Sequence, residues 1–273
     1  MRLINQRPGH SERLVLGAML FILLIAAYLV GSNIRLSANP DDKLLPSLSQ
    51  MGAAIWQLAF QPEQRSGDYR LWTDTAASLA RLLGGIAISA LLALLIGIPT
   101  GLIPRARAAF APFVTAICLI PPITILPILF IVFGLGETSK AMLIVIGTAP
   151  YMARTVAQAV ADIPQEQIVK GLTLGANTWQ MILRVVMPQI MPKLITAIRL
   201  GLGPAWIFLI SAEAIASTGG LGYRIFLVRR YLSMDVILPY VAWITFIAFT
   251  LDWLLLLYSR KRYRWAHLSG TAL

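Results

Sequence analysis

Two carboxylates lie inside apolar stretches, where an acid could relay protons or take part in a polar path. Glu213 falls deep in the stretch 194–216 and Asp252 falls within the stretch 236–258. An acid at the centre of a membrane helix costs roughly 2.5 to 3.5 kcal/mol, so each must face protein or water. Glu213 is interpreted either as a pathway or gating residue, with Ser211 as a polar neighbour, or as a structural hydrogen-bonding group between helices. Asp252 lies closer to the helix end and favours a structural role.

Other reactive side chains are too scattered to form a site. The one cysteine, Cys118, lies in an apolar run, and the two histidines, His10 and His267, lie near opposite ends of the chain. We therefore expect no disulfide framework and no metal site. Neither phosphate-binding loop, G-x-x-x-x-G-K-[ST] or G-x-G-x-x-G, is present, nor is a G-x-S-x-G or H-E-x-x-H motif. We expect no catalytic or cofactor-binding residue here, and any ATP hydrolysis must take place on another chain.

Prolines cluster in the apolar stretch 110–133. Pro121, Pro122 and Pro127 each remove a backbone donor and loosen a helix. Irregular backbone at membrane depth is tolerated only against protein or a water-filled cavity. The pattern predicts a kinked helix, with Pro121 and Pro122 either lining a translocation path or bending a packing helix.

The elements that carry these residues require a membrane. The 273 residues are 58% hydrophobic and 13% charged, with mean hydropathy +0.73, which is outside the range of soluble domains. Apolar stretches of about 20 residues predict an all-α integral membrane protein with six spans. Their approximate ranges are 14–30, 79–102, 110–133, 140–160, 194–216 and 236–258.

The basic residues predict the orientation of these spans. Net charge is +11, and most basic residues sit at span ends, which favours lipid rather than nucleic acid as the partner of this charge. Six spans place both termini on one side, with twelve basic residues there and eight opposite. Because cytoplasmic loops carry the excess of Lys and Arg, we expect both termini in the cytoplasm of a bacterial inner membrane. The twelve are Arg2, Arg7, Arg13, Arg105, Arg107, Lys170, Arg184, Lys193, Arg260, Lys261, Arg262 and Arg264.

The chain divides into four predicted segments. Residues 1–31 form a tail and an uncleaved first span, and 32–78 form an external segment broken by Pro40, Pro46 and Pro62. Leu48, Met51, Ile55 and Leu58 recur there at helical spacing, which predicts an interfacial helix. Residues 79–260 form a core of five spans, and 261–273 form a basic cytoplasmic tail.

A cytoplasmic elbow of two short helices is predicted over 162–190, between spans four and five. Gly175 ends the first helix, where a left-handed residue costs little. Asn177 or Thr178 caps the second helix, which is expected to stop at Pro188 before span five. A loop with this much half-apolar structure is typical either of a protein-docking surface or of self-packing, and the two interpretations are about equally favoured.

A basic patch follows span five. Arg224, Arg229 and Arg230 lie just after the run Gly219–Gly220–Leu221–Gly222 on the predicted external face. Two interpretations are open: the patch meets acidic residues of a periplasmic binding protein, or it contacts lipid headgroups.

The elbow carries a family resemblance. Gly175, nine residues, and Val185-Val186-Met187-Pro188 resemble the coupling-loop signature of ABC-importer permeases, E-A-A, three residues, G, nine residues, I-x-L-P. Val169-Lys170-Gly171 stands where the family has Glu-Ala-Ala, so the acidic position is absent. The resemblance implies that the elbow seats in a cleft of an ATPase subunit. The residues it implies for this contact are Ile168, Val169, Gly171, Leu172, Gly175, Ala176, Met187 and Pro188.

Five further motifs resemble the nitrate, sulfonate and taurine branch of these permeases, over residues 44 to 265. They are Leu45-Pro46-Ser47, Ser78-Leu79-x-Arg81, Ile120-Pro121-Pro122, Phe133-Gly134-x-Gly136-Glu137-x-Ser139-Lys140 and Gly220-Leu221-Gly222-Tyr223. The resemblance implies a type I ABC-importer permease fold and a homodimer of permeases on two ATPase subunits that hold ATP and Mg. It also implies an external binding protein that delivers a small anion.

Two rival functions stay open at this point. A self-contained proton-coupled carrier would use Glu213 and Asp252 as proton sites and would need no ATPase. A membrane scaffold without transport would need neither the proline-broken third span nor the deep acid.

Overall fold

A computed structural model describes residues 9–39, 42–63 and 67–267, all helical or irregular, with no strand in these ranges. Arg2, Arg7, Pro40 and the end of the basic tail lie outside the described residues. Eleven α-helices occur in the described ranges: α1 His10–Ala38, α2 Leu48–Phe60, α3 Arg70–Leu102, α4 Pro104–Cys118, α5 Leu126–Phe133, α6 Glu137–Ala161, α7 Gln165–Thr173, α8 Thr178–Met181, α9 Met187–Ala216, α10 Leu221–Arg229 and α11 Met234–Arg262.

The helices divide into two compact units, one of residues 1–69 with 228–241, and one of residues 70–227 with 242–273. In the first unit, hydrogen bonds join the C-terminal half of α1 to the residues just before α2. The hydroxyl of Tyr28 donates to the carbonyl of Pro46 at 2.6 Å, and that of Ser32 donates to the carbonyl of Leu45 at 3.0 Å. Ser47 caps α2 by accepting from the amide of Gln50 at 3.2 Å. The helix predicted for this segment is therefore present, and its position at the membrane interface stays a prediction.

In the second unit, α3 packs closely on α6 along a stripe of small residues. Gly85, Ser89, Ala93, Gly97 and Gly101 recur every four residues on one face of α3. A Cβ at Gly97 would lie 2.7 Å from the carbonyl oxygen of α6 residue Ala153. Small residues let membrane helices approach to this distance.

Apolar packing joins α5, α6 and α9 in the same unit. Leu126, Leu129, Leu143 and Ala212 form a buried cluster with Phe208 against it. A Cβ at Gly147 would lie 2.2 Å from the ring of Phe208, so α6 and α9 also approach through a glycine. These contacts fix the relative positions of the helices that carry the polar groups described below.

In the described part of the chain, five helices are long and apolar enough to cross a membrane. A sixth span is present if α4 and the helical segment 122–133 after it form one crossing. The third predicted span differs most from expectation. α4 ends at Cys118, a 3-10 turn spans Pro122–Ile125, and the two parts meet at 86°. The prolines therefore produce a break rather than a kink, since two consecutive prolines leave two backbone donors missing in one turn.

Candidate functional site

Glu213 lies at the centre of a buried polar cluster at one end of the second unit. Its side chain is fully buried. One carboxylate oxygen accepts from the Arg81 guanidinium at 2.6 Å and from the Ser78 hydroxyl at 2.8 Å, and the other accepts from the backbone N–H of Gly222 at 2.8 Å. α3 and α9 therefore meet through charge as well as apolar packing. This satisfies an acid that would be costly in lipid.

Arg81 links this acid to α6. Its guanidinium also pairs with Glu137 and donates to the carbonyl of Gly219 at 2.8 Å. Lys140, only 2% exposed, donates to Glu137 at 2.9 Å and to the hydroxyl of Ser217 at 3.2 Å. Glu137 is itself 64% exposed, so the chain of ion pairs runs from the buried centre to the surface.

Asp74, on α3, completes the cluster. It pairs with Arg224 of α10 at 2.8 Å and accepts from the backbone N–H of Gly220 at 3.0 Å. The polar cluster thus holds three acids and three bases and binds the connection between α9 and α10 at several points. Its members are Asp74, Ser78, Arg81, Glu137, Lys140, Glu213 and Arg224. Within the described residues, no group of three or more His, Cys, Asp or Glu side chains could hold a metal ion.

The connection between α9 and α10 needs glycine at Gly220. Its φ is +126°, a conformation that residues with a side chain rarely adopt. A Cβ at this position would lie 2.5 Å from a carboxylate oxygen of Glu213 and 2.7 Å from the Arg81 guanidinium. The glycine therefore lets backbone N–H groups reach the buried acids directly.

Two of the site residues expected from the sequence lie elsewhere than predicted. Ser211 is half-buried and its hydroxyl donates to the carbonyl of Ile207 at 2.7 Å, so it is not the partner of Glu213. Side chains two residues apart point to different sides of a helix, which explains this error. Arg224 turns inward to Asp74 and is not part of an exposed patch, whereas Arg229 and Arg230 are exposed.

The residues that do surround Glu213 were present in the motifs that carry the family resemblance. Ser78 and Arg81 share one motif, and Glu137 and Lys140 share another. Sequence reasoning did not join them to Glu213, and it missed Asp74 altogether. A signal was available in the sequence. Each charged residue stands near one end of a predicted span, and these ends all lie on one side of the membrane because adjacent spans run in opposite directions.

Asp252, the second acid in a span, is also paired. It accepts two hydrogen bonds from Arg199 of α9, at 2.8 and 2.9 Å. This bidentate pair between α9 and α11 is consistent with the structural role expected for Asp252.

The two consecutive prolines of the broken third span differ in exposure. Pro121 is exposed and its carbonyl accepts from the hydroxyl of Thr124 at 2.7 Å, while Pro122 is half-buried and begins the 3-10 turn. Their part in a translocation path stays a prediction.

The elbow between spans four and five forms as α7 and α8. Gly175 follows α7 with φ +82°, in the left-handed region expected for it. Asn177, rather than Thr178, caps α8 by accepting from the amide of Gln180 at 2.8 Å. The stop expected at Pro188 is wrong. A π-helical turn over Ile182–Val186 leads directly into α9, whose first turn contains Pro188, so the helix continues through the proline next to an already irregular turn.

The coupling residues predicted for the elbow fall into two sets, one packed against the core and one exposed. Ile168, Ala176 and Met187 pack inward on the apolar core, and a Cβ at Gly171 would lie 2.3 Å from the side chain of Met181. Val169 and Leu172 are each 55% exposed, and Gly175 and Pro188 are also exposed. The inward set holds the elbow and the outward set is available to a partner.

Comparison with known proteins identifies relatives along most of the chain. Residues 85–262 match the family described as binding-protein-dependent transport system inner membrane component. The taurine transport system permease protein TauC of Escherichia coli K12 is 36% identical over 185 residues, which cover 68% of this chain and 67% of TauC. The riboflavin transport system permease protein RibX of Chloroflexus aurantiacus is 31% identical over 245 residues, 89% of this chain and 87% of RibX.

Solved structures share the fold. A chain of the inward-facing MetNI methionine ABC transporter superposes with a TM-score of 0.55 at 20% identity, covering 80% of this chain and 98% of that one. A chain of the bacterial alginate ABC transporter, in complex with its alginate-bound periplasmic protein, gives 0.55 at 17% identity, with coverage of 95% and 100%.

Proposed function

The chain belongs to the family of binding-protein-dependent transport system inner membrane components, and from this membership we propose that it forms the translocation path for a small organic or inorganic anion. It is a permease subunit and not an enzyme. The anion class is supported by TauC and by an aliphatic sulfonate permease of Bacillus subtilis, SsuC, which is 26% identical over 208 residues. Taurine, a sulfonate or nitrate are the solutes to test first, with riboflavin as the contrast that RibX suggests.

The proposed assembly has two copies of this chain, two ATPase subunits that hold ATP and Mg, and a periplasmic binding protein that delivers the solute. Both termini lie in the cytoplasm, so the elbow faces the ATPase and the polar cluster lies toward the periplasm. Arg229 and Arg230, which the sequence predicts on the external face, are exposed and suit an acidic surface of the binding protein.

Transmission of the ATPase movement is assigned to the elbow. Its outward residues Val169 and Leu172 form the apolar surface for the ATPase, and its inward residues pack on the same core as α3, α6 and α9. A displacement of the elbow is therefore carried to the spans, because packed side chains move together rather than deforming independently. Closure of the ATPase pair on ATP favours one state of the spans and its release favours the other.

Ion pairing argues against the rival proton-coupled carrier. Both acids that would serve as proton sites already have an arginine partner, Arg81 for Glu213 and Arg199 for Asp252. A relay acid needs access to water and freedom to change partners, which the fully buried Glu213 lacks.

Affinity purification of the tagged chain tests this proposal. The wild type should retain an ATPase after mild solubilisation, and Leu172→Asp should lose it because the charge falls in the apolar surface. Leu232→Asp is the matched control, since Leu232 is 54% exposed against 55% for Leu172 and lies in the connection between α10 and α11, on the external side in the proposed topology.

A wild-type chain that purifies alone and still moves solute into vesicles without ATP would overturn the permease assignment in favour of the carrier. Equal loss of the ATPase in the two leucine variants would instead reject the elbow as the contact surface.

A further inference from the structure

A cleft with two arginines opens between α3, α4 and α6, at the end of the second unit that also carries the elbow. Its volume is about 280 Å³, just below the roughly 300 to 1,000 Å³ of ligand sites. Its basic side chains are Arg107 and Arg154, and its uncharged polar side chains are Thr100, Thr115 and Gln158. No acidic residue lines it.

These two arginines differ from three other cations in the helices of this unit. Arg81, Lys140 and Arg199 each pair with a carboxylate. Neither Arg107 nor Arg154 forms an ion pair with any residue that the structure describes. Two positive charges thus face one small cleft without a compensating acid.

Arg107 is exposed and makes only two long hydrogen bonds. It donates at 3.3 and 3.4 Å to the carbonyls of Thr100 and Gly101, in the last turn of α3. A guanidinium has five N–H donors, so these two long contacts leave donors free for a ligand. The planar fork of a guanidinium suits a pair of oxygens on one atom, as in a sulfonate, carboxylate or phosphate group.

We propose that this cleft binds the oxyanion head of the transported solute, through Arg107 and Arg154, as the solute leaves the permease toward the cytoplasm. The proposal rests on the proposed function, since it names the solute's last contact on this chain. Arg107 also lines a neighbouring cleft with Ile163, Gln165 and Ile168 at the base of the elbow. Movement of the elbow would therefore change the surroundings of one of the two arginines.

The chain's one cysteine offers a direct probe. Cys118 is exposed and lies three residues beyond Thr115 on α4, on the side of the helix that lines the cleft. We would compare its labelling by the anionic sulfonatoethyl methanethiosulfonate and by the cationic trimethylammonioethyl reagent. Each rate is divided by that reagent's rate with a free thiol. The proposal predicts faster labelling by the anionic reagent, a loss of this preference in Arg154→Gln, and protection by ethanesulfonate.

Equal normalised rates in the wild type, or a preference that Arg154→Gln leaves unchanged, would overturn the proposal. Labelling is repeated in vesicles of phosphatidylcholine alone and in vesicles that include phosphatidylglycerol. Protection by the anionic lipid but not by ethanesulfonate would assign the cleft to a lipid phosphate and would reject the solute.

Transport by the reconstituted complex of permease, ATPase and binding protein provides the second arm, with taurine as the solute. Arg107→Gln and Arg154→Gln should each lower ATP-driven uptake by roughly tenfold to a hundredfold, the effect of losing a charged hydrogen bond. Arg105→Gln is the control, because Arg105 is exposed on the same helix but does not line the cleft.

The two proposals fail in different ways. Unchanged uptake in both glutamine variants rejects the cleft and leaves the transport function standing. Absence of ATP-driven uptake of any solute by the wild type rejects the proposed function, and the labelling of Cys118 then still decides whether the cleft attracts anions.

Discussion

Glu213 shows how one side chain can hold several helices. It is fully buried and accepts from Arg81, Ser78 and the backbone of Gly222, so its removal leaves three donors without their acceptor. We expect Glu213→Ala to lower the free energy of unfolding by about 3 kcal/mol, as for other broken buried ion pairs. The measurement is unfolding of the purified chain in mixed micelles, followed by circular dichroism.

Ser211→Ala is the matched control for this prediction. Ser211 lies two residues away on the same helix, but its hydroxyl donates only to the carbonyl of Ile207. Its loss should change the free energy of unfolding by no more than about 0.5 kcal/mol. If the two variants unfold alike, the polar cluster does not hold the helices together.

Gly220 and Gly219 are neighbours with opposite tolerance for a side chain. At Gly220 the backbone φ of +126° is unfavourable for a residue with a side chain, and a Cβ there would overlap Glu213. A Cβ at Gly219 would meet only an oxygen of Asp74, at 3.9 Å. Gly220→Ala should lower the free energy of unfolding by about 1 to 3 kcal/mol, and Gly219→Ala should leave it near the wild-type value. The same micelle titration measures both, and a larger loss at Gly219 would contradict the role given to Gly220.

At the scale of the elements, α3 and α6 depend on small residues where their backbones approach. A Cβ at Gly97 would lie 2.7 Å from the carbonyl oxygen of Ala153, which cannot move aside as a flexible side chain can. We expect Gly97→Ala to lower the free energy of unfolding by about 1 to 3 kcal/mol through overpacking. Gly84→Ala, on the same helix with open space around it, should have little effect or raise helix stability slightly.

The elements themselves were largely predictable because their signals are local. Apolar length gave the positions of the spans, and the types of Gly175 and Asn177 predicted the turn and the cap of the elbow that the structure contains. Pro188 was wrongly predicted to end a helix. Local sequence rules do not distinguish a proline that follows one helix from a proline in the first turn of the next. The prolines likewise predicted only a kink in the third span, whereas the structure has a break of 86°.

The partner of Glu213 could not be predicted by the same means. Arg81 lies 132 residues away in the chain, and their pairing depends on which faces α3 and α9 present to each other. Hydrophobic periodicity fixes the apolar face of a helix but not its neighbour. The motifs containing Ser78, Arg81, Glu137 and Lys140 marked the right residues without revealing that they meet.

At the scale of the whole molecule, the second unit carries its two polar sites at opposite ends of the same helices. Glu137, at the start of α6, belongs to the polar cluster. Arg154, toward the end of α6, lines the cleft. The cluster is balanced in charge and ties helices together, while the cleft has unpaired positive charge. This difference favours a structural role for the former and a ligand role for the latter.

The proposed orientation sets which of these ends faces the cytoplasm, and labelling of introduced cysteines tests it. In a Cys118→Ser background, Leu135→Cys places a thiol in the exposed connection between α5 and α6, and Thr173→Cys places one on the exposed elbow. Because the excess of Lys and Arg predicts a cytoplasmic elbow, a membrane-impermeant maleimide should label position 135 in right-side-out vesicles. Position 173 should react only in inverted vesicles, and the reverse pattern would place the elbow outside, where no cytoplasmic ATPase could reach it.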